Sequence, residues 1–220
     1  SIDADYIATG HYARVVHTEG KESVMLRGVD NNKDQTYFLC QLNQNQLNNS
    51  LFPIGELTKP EVRQIAEELD LPIAHKKDST GICFIGERDF REFLKNYIPA
   101  KSGKMVDIVS KKVIGEHQGI MYYTIGQRKG LGIGGNGEPW FVVGKDYDKN
   151  ILYIAQGDSN KWLLSHGALI TDVNWVSATK PEGEYDCTAK FRYRQRDNDV
   201  SLHFIDETTL YVTFKKPIKA

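Results

Sequence analysis

Apolar and polar residues alternate with two different periods along the chain, and the period changes near Pro99. Before this proline, residues 58–69 have apolar side chains at helical spacing, and Thr58 and Glu61 have the spacing of a capping box. Residues 89–97 repeat a cap and carry an aromatic face, which predicts a second helix. After Pro99 the alternation becomes strand-like, and no convincing helix lies between the predicted strands.

The predicted strands are short and are separated by polar turns. Before Pro99 they are 5–10, 23–28 and 36–40, and the first is expected to be buried and to end at Gly10. After Pro99 they are 104–109, 120–124, 140–143, 151–155, 168–176, 185–193, 200–205 and 210–214. This order predicts an α/β region followed by all-β structure, in which a small central β domain precedes a small antiparallel barrel or sandwich. The expected domains are 1–98, 99–164 and 165–220.

Composition is that of an ordinary globular protein. The 220 residues are 40% hydrophobic and 26% charged, which excludes a disordered or fibrous chain. Because the formal net charge is −1, any contact with nucleic acid has to come from a local basic face. No apolar run approaches the roughly 20 residues that span a bilayer, and the start has neither a signal peptide nor an initiator Met. We therefore expect a cytoplasmic protein, without membrane contact, that lacks its beginning.

Three cysteines are spread along the chain, at Cys40, Cys83 and Cys187. They show no C-x-x-C spacing and have no histidine at ligand spacing, so neither a structural zinc site nor a disulfide framework is predicted. Cys83 lies between two glycines, with cations nearby at 75–77 and at Arg88. Nearby cations lower the pKa of a thiol and favour the thiolate, which attacks electrophiles and carries sulfur. The same residues also fit a small buried hydrophobic side chain, and spacing does not decide between the two.

Two places in the predicted sheets could face a ligand. Gly10 and His11 follow the first predicted strand, and ligands in open α/β sheets bind beyond such carboxyl ends; a single histidine is as often a structural residue. The predicted strand 185–193 and its extension carry cations on one face, which could bind phosphate. These cations are Lys190, Arg192 and Arg194.

A glycine-rich stretch follows the strand predicted at 120–124. Residues 124–132 combine glycines with Arg128 and Lys129, a combination that suits close approach of an anionic ligand or, equally, a solvated hairpin. Residues 132–137 match G-x-G-x-x-G by letter. We discount them as a dinucleotide site because they lie between strands, with a Glu-Pro pair where a helix should begin.

Six segments, taken in order, resemble the tRNA-specific 2-thiouridylases, which replace the C2 oxygen of the wobble uridine with sulfur. The segments are ATGHYAR (8–14), KDQTYFL (33–39), LFPIGELTKPEVR (51–63), DSTGICFIGE (78–87), GEHQGIMYYTIGQRKGLGI (115–133) and RYRQ (192–195). The resemblance covers nearly the whole chain. It implies an α/β plus all-β protein, made of the tail of a pyrophosphate-loop α/β domain, a small central β domain and a carboxyl-terminal antiparallel β-barrel.

The resemblance also implies roles for single residues. Cys83 corresponds to the cysteine that carries a persulfide, and Gly10 to an ATP contact. The residues implied as tRNA contacts are His11, Lys33, Asp34, Gln35, Arg192 and Tyr193. In the family's chemistry, ATP with Mg²⁺ adenylates the C2 oxygen of uridine 34, and sulfur from the persulfide then displaces AMP. The sulfur would come from a cysteine desulfurase or a sulfur relay protein.

The sequence also departs from the family pattern. The Ser-Gly-Gly-x-Asp-Ser pyrophosphate loop and a partner cysteine would precede Ser1 and are absent here. We therefore expect the carboxyl-terminal part of a thiouridylase, which alone could not adenylate its substrate. Two alternatives stay open, namely another pyrophosphate-loop ligase in which Cys83 is structural, and a non-catalytic RNA-binding module.

Overall fold

The computed structural model describes most of the chain, namely residues 3–76, 97–98 and 100–219. Cys83 and the helix predicted at 89–97 lie outside the described residues, apart from Tyr97. The chain forms two compact units, each built from two separate stretches. The first unit is Ser1–Asp78 with Gly167–Lys215, and the second is Ser79–His166 with Lys216–Ala220.

Short strands and helices form the amino-terminal part of the first unit. Strand β1 (Ile7–Ala8) pairs in parallel with β4 (Ser50–Leu51), and β2 (Ala13–Val16) pairs antiparallel with β3 (Val24–Arg27). Helices α1 (Gln44–Asn48) and α2 (Lys59–Glu68) follow the hairpin and β4 respectively. A small core holds this part together, formed by Ala13, Leu39, Leu47 and Phe52.

Helix α2 and strand β1 differ in how closely they follow the sequence pattern. The helix predicted at 58–69 is confirmed as α2, and the Glu61 carboxylate accepts hydrogen bonds from the backbone N–H and the hydroxyl of Thr58, both at 2.7 Å. These bonds lower the pKa of Glu61. The expectation that the first strand is buried is wrong, because Ile7 is 67% exposed.

Two predicted strands are 3₁₀ helices instead. Thr36–Leu39 turns because Phe38 N–H bonds to the carbonyl of Gln35, while the Asp34 carboxylate accepts the Thr36 hydroxyl. Ile120–Tyr122 turns because Gly119, at φ 143°, lets its carbonyl accept the Tyr122 N–H. Both segments are apolar and short, so side-chain pattern alone did not separate the two conformations.

The second unit is built on a four-stranded mixed sheet with the order β6-β5-β8-β7. Its strands are β5 (Gly103–Asp107), β6 (Val113–His117), β7 (Trp140–Asp146) and β8 (Ile151–Gln156). The central pair β5 and β8 is parallel, and the two outer pairs are antiparallel. The sheet buries a core that includes Met105, Val142, Leu152 and Ile154, all at 0% exposure. Three of these strands were predicted, and β6 was missed.

A second four-stranded sheet has the order β10-β11-β12-β9. Its strands are β9 (Leu164–Ile170), β10 (Tyr185–Ala189), β11 (Asn198–Phe204) and β12 (Leu210–Lys219). Apolar side chains alternate along β12, so that Leu210, Val212 and Phe214 are buried. The predicted strands 168–176 and 185–193 were too long, since β9 ends at Ile170 and β10 at Ala189. None of the described helices is long and apolar enough to cross a membrane.

Candidate nucleic-acid interface

A cavity of about 410 Å³ lies within the first unit, between the turn after β3 and the loop after β10. Its size is within the range of pockets that hold a small ligand. Two of the residues implied as tRNA contacts, Asp34 and Tyr193, both line it. The lining residues are Arg27, Asn31, Asp34, Thr36, Tyr37, Cys40, Lys190, Tyr193 and Arg194.

The loop after β10 is held by its own hydrogen bonds. Gln195 accepts the Phe191 N–H through its side chain at 2.8 Å and donates its backbone N–H to Arg192 at 3.1 Å. Arg194 takes a left-handed conformation, with φ 64°. This turn replaces the strand predicted up to residue 193, so the three cations do not continue along one strand face. Lys190 and Arg194 line the cavity, whereas Arg192 is not among the lining residues.

Asp34 and Gln35 use their polar groups to shape the turn. The Asp34 carboxylate is 7% exposed and accepts the Gly28 N–H at 3.1 Å and the Thr36 hydroxyl at 2.9 Å. Gln35 is bonded to the backbone of Tyr12 in both directions, at 3.0 and 2.9 Å. Both residues therefore have a structural role that the sequence did not indicate. Lys33 belongs to the same turn and does not line the cavity.

An ion pair joins the two segments that form the cavity. The Arg27 guanidinium donates two hydrogen bonds to the Asp197 carboxylate, at 2.7 and 2.9 Å. This bidentate geometry lowers the pKa of Asp197, chiefly through the hydrogen bond from Arg27. Both side chains are partly exposed, at 45% and 38%, so the pair is a surface interaction with modest energy.

Three aromatic rings pack together beside this cavity; Tyr37 and Tyr193 line it, and Phe38 does not. The ring of Phe38 lies 4.7 Å from that of Tyr193 and 5.5 Å from that of Tyr37, measured between centroids. The Tyr37 hydroxyl donates a hydrogen bond to the Phe191 carbonyl at 3.3 Å, which fixes the 3₁₀ helix against the loop. Phe38 nevertheless remains 56% exposed.

Gly10 and His11 do not line this cavity. The His11 ring nitrogen Nδ1 is 2.8 Å from the Thr9 hydroxyl, and the ring meets Phe52 edge-on at 6.3 Å. Gly10 is exposed, and a Cβ placed there would meet no atom within 4 Å. A ligand can therefore approach the backbone of Gly10 closely.

The glycine-rich stretch borders a second cavity, of about 360 Å³, in the second unit. Leu131 and Ile133 pack into the core of this unit, while Gly132 and Gly134, which alternate with them, are exposed. Arg128 lines the cavity, and Lys129 is not among the lining residues. The G-x-G-x-x-G letters at 132–137 are followed by β7 and not by a helix, as the sequence predicts.

Two of the three cysteines, Cys40 and Cys187, are among the residues that the structure describes. Cys40 is exposed, and Cys187 is half-buried. Burial, followed by the nearby Asp186 carboxylate, raises the pKa of the Cys187 thiol. Within residues 3–76, 97–98 and 100–219, no group of three or more His, Cys, Asp or Glu residues could hold a metal ion.

Comparison with known families covers almost the whole chain in three consecutive matches. A family described as tRNA methyl transferase HUP domain matches residues 1–87, and one described as tRNA methyl transferase PRC-barrel domain matches 91–156. An aminomethyltransferase beta-barrel domain matches 165–220. These matches confirm the predicted fold class, α/β plus all-β, with the α/β part first and the barrel last.

Individual relatives are similar over all 220 residues. A tRNA-specific 2-thiouridylase MnmA of Bacillus cytotoxicus is 58% identical, and proteins of the same name from Bacillus cereus and Bacillus anthracis are 57% identical. The chain belongs to the tRNA-specific 2-thiouridylase family. The family resemblance predicted from the six segments is thereby confirmed. The chain spans 59% of the length of the relatives that it matches.

Sequence reasoning missed two residues that line the cavity, Arg27 and Tyr37, and the neighbouring Phe38. Tyr37 and Phe38 were interpreted as strand residues, and Arg27 received no role. One signal was present, because two adjacent aromatics directly follow a polar turn that carries three of the implied RNA contacts. Adjacent exposed aromatics contribute contiguous apolar surface, which is a feature of interaction sites.

Proposed function

We propose that this chain is part of an enzyme that replaces the C2 oxygen of the wobble uridine, position 34, of tRNA with sulfur. The observation that carries the proposal is 58% identity, across all 220 residues, with a relative named tRNA-specific 2-thiouridylase MnmA. The partners are tRNA and a protein sulfur donor, either a cysteine desulfurase or a sulfur relay protein. A tRNA substrate of this kind is consistent with the cytoplasm as the site of action.

Cys83 is the sulfur carrier in this proposal. Its persulfide attacks C2 of the activated uridine through the terminal sulfur, the bond from C2 to the activated oxygen breaks, and AMP leaves with that oxygen. A second thiol then attacks the remaining S–S bond and releases the thiolated base. In the family pattern this thiol belongs to the partner cysteine, and neither Cys40 nor Cys187 is assigned to that role.

ATP is the co-substrate, and it supplies the adenylyl group that turns the uridine oxygen into a leaving group. Gly10 is the described residue assigned to it, because its exposed backbone leaves room for a nucleotide. Mg²⁺ would accompany the ATP phosphates, which are its usual ligands in such sites.

The RNA contacts include both polar and aromatic groups. His11, Lys33, Asp34, Gln35, Arg192 and Tyr193 are assigned to tRNA by the family resemblance. The cavity supports this assignment for Tyr193, because Lys190 and Arg194 line the same space and attract phosphate. Asp34 and Gln35 act indirectly, since their hydrogen bonds hold the turn that borders the cavity.

The test is a cysteine substitution in the full-length enzyme. Cys83→Ser is expected to abolish 2-thiouridine, measured by mass spectrometry of nucleosides from tRNA incubated with ATP, a cysteine desulfurase and cysteine. Cys187→Ser is the matched control and should retain full activity, because its thiol is half-buried and its pKa is raised. Intact mass of the wild-type protein should show one additional sulfur on Cys83 after incubation with the donor.

Each alternative function predicts a different result. Undiminished thiolation in Cys83→Ser would remove the sulfur-carrier role and favour a ligase with a structural cysteine. Binding of tRNA that weakens with salt, without any ATP-dependent product, would favour a non-catalytic RNA-binding module.

A further inference from the structure

The cavity of about 360 Å³ in the second unit has a wall that consists largely of glycine backbone. Its lining glycines are Gly130, Gly132, Gly134, Gly135 and Gly137. The residues assigned to tRNA by the family resemblance all belong to the first unit, so the function proposed above leaves this cavity without a role. A wall with so few side chains allows a ligand to approach the main chain closely.

Hydrogen bonds at both ends hold the glycine-rich loop in place. At its start, the Val142 N–H donates to the Gln127 carbonyl at 3.0 Å. At its end, the Gln156 side chain donates to the Asn136 carbonyl at 3.3 Å. Between these points, two apolar side chains of the loop pack into the core, as described above. The glycines therefore have a defined arrangement without a ligand, which lowers the entropy cost of binding one.

Gly134 is a glycine that its own backbone conformation does not explain. Its φ lies outside the left-handed region, and a Cβ there would meet no atom within 4 Å. Gly132 and Gly135 differ, because their φ values of 68° and 129° favour glycine. The missing side chain at Gly134 therefore leaves open space in the cavity, which a ligand in contact with the backbone would need.

The cavity combines hydrogen-bond donors with a positive charge. Among the described residues, none accepts the backbone N–H groups of Gly130, Gly132, Gly134 or Gly135. Arg128 lines the same cavity, and no carboxylate of a described residue lies within 4.0 Å of its guanidinium. Backbone N–H groups in a concave turn bind anions, and an arginine beside them favours phosphate.

The remaining lining residues favour a phosphate over a base. Glu138 also lines the cavity, and a Cβ on Gly157 would meet its Oε2 at 2.6 Å, so this carboxylate lies against the backbone of Gly157. Apart from Arg128 and Glu138, only Trp140 contributes a polar side-chain atom to the lining. The cavity therefore offers little with which to recognise a base, whereas contacts to phosphate position a nucleic acid without reading its sequence.

We propose that the glycine-rich cavity of the second unit binds one backbone phosphate of the tRNA. The N–H groups of the glycines at 130–135 donate to the phosphate oxygens, and Arg128 supplies the opposite charge. The second unit thereby helps to position the RNA independently of its sequence. The inference rests on the proposed function, because it takes tRNA as the bound partner.

The experiment uses the full-length enzyme and a tRNA with uridine 34 whose phosphates have been ethylated at random. Ethylation removes the charge of a phosphate, so RNAs modified at a contacted phosphate are depleted from the bound fraction. Arg128→Gln should make one such phosphate indifferent to ethylation. It should also reduce the salt slope of binding by about 0.7–0.9, and weaken affinity by about twofold to fivefold, the range for one exposed ion pair.

Matched charge variants separate this site from general electrostatics. Lys112→Gln removes an exposed cation of the same unit that does not line the cavity, and its ethylation pattern should equal that of the wild type. Glu138→Gln should strengthen tRNA binding, by up to about fivefold, because it removes a negative charge from the cavity. Glu116→Gln removes an exposed carboxylate of the same unit outside the cavity and should leave affinity unchanged.

Gly134→Ala tests the backbone part of the site. Its methyl group should occupy the space that the phosphate needs, so tRNA binding should weaken and the same phosphate should become indifferent to ethylation. The unfolding free energy should stay at the wild-type value, because the added Cβ meets no atom within 4 Å. Loss of binding in a folded protein would therefore report on the ligand.

The results that would overturn the phosphate site are distinct from those that concern catalysis. A wild-type ethylation pattern in Arg128→Gln, or wild-type tRNA affinity in Gly134→Ala, would each refute it. Weaker ATP binding in Arg128→Gln by calorimetry, with tRNA binding unchanged, would assign the cavity to a nucleotide phosphate instead. Any of these results in an enzyme that still makes 2-thiouridine would refute the site alone. Loss of one phosphate contact in Arg128→Gln, when the wild-type enzyme makes no 2-thiouridine, would contradict the proposed function and leave the site in place.

Discussion

His117 offers a sharp test of how the second unit is held together. The side chain is completely buried on β6 and satisfies two backbone groups. Its Nε2 lies 3.1 Å from the Asn150 carbonyl, and its Nδ1 accepts the Gly119 N–H at 3.2 Å. Because a carbonyl only accepts and an N–H only donates, the ring donates through Nε2 and accepts through Nδ1.

Removing this imidazole should be costly. In His117→Phe, the Gly119 N–H loses its acceptor in a buried place, which costs about 1–3 kcal/mol. The Asn150 carbonyl loses one hydrogen bond, worth about 0.5–1.5 kcal/mol. The sum is about 1.5–4.5 kcal/mol of unfolding free energy. His117→Asn keeps an oxygen near the position of Nδ1, and His117→Gln keeps an N–H near the position of Nε2, so Asn should be the milder of the two.

Hydrogen–deuterium exchange read by mass spectrometry is a suitable assay, because it reports on peptides from β7 and β8 separately from the first unit. Protection should fall in the order wild type, His117→Asn, His117→Gln, His117→Phe. Wild-type protection in His117→Phe, or a larger loss in Asn than in Gln, would refute the hydrogen-bond argument.

Three further predictions follow from contacts in the first unit. Gly55→Ala should lower the unfolding free energy of the first unit by about 1–3 kcal/mol, measured by urea titration, because an added Cβ would collide with the Ala13 carbonyl. Asp197→Asn should cost at most about 1 kcal/mol at neutral pH. Since Arg27 lowers the pKa of Asp197, the pair stabilises the fold above the unfolded-state pKa of about 3.9, and this contribution is lost as the pH falls through the lower native value. Iodoacetamide should modify exposed Cys40 faster than Cys187, whose pKa is raised, as peptide mapping will measure.

Each of these predictions has a control or an outcome that contradicts it. Gly134→Ala is the matched control for Gly55→Ala, because a Cβ at Gly134 would meet no atom within 4 Å. Equal destabilisation by both substitutions would show that the collision with Ala13 is not the cause. A penalty for Asp197→Asn that persists unchanged in acid would show that its charge is irrelevant. Equal alkylation rates at Cys40 and Cys187 would mean that burial does not control thiol reactivity here.

Long, strongly patterned segments were predictable from sequence. The helix α2 has both a capping box and an apolar repeat, and the first half of β12, residues 210–214, alternates strictly, so local signals agree with the final structure there; the extension of β12 to Lys219 was not predicted. The two 3₁₀ helices were not predictable in this way. Thr36–Leu39 depends on a turn fixed by Asp34, and Ile120–Tyr122 depends on the conformation of Gly119, neither of which appears in a hydrophobic pattern.

The candidate site was predicted only in part, for a related reason. Asp34 and Tyr193 were selected through family resemblance, and the structure shows that both line one cavity. The distance between Phe38 and Tyr193 along the chain exceeds 150 residues, and periodicity carries no information about such a pairing. Arg27 and Asp197 were missed because an ion pair between distant segments becomes visible only in three dimensions.

The discontinuous make-up of the first unit has a consequence for biosynthesis. Residues 3–76 leave the ribosome well before Gly167–Lys215, with which they share Arg27–Asp197 and Tyr37–Phe191 contacts. During translation, residues 3–76 are synthesised before the segment with which they pack, Gly167–Lys215. Most of the second unit is synthesised in between. A nascent chain stalled before Gly167 should therefore expose Tyr37 and Phe38 to chaperones and proteases.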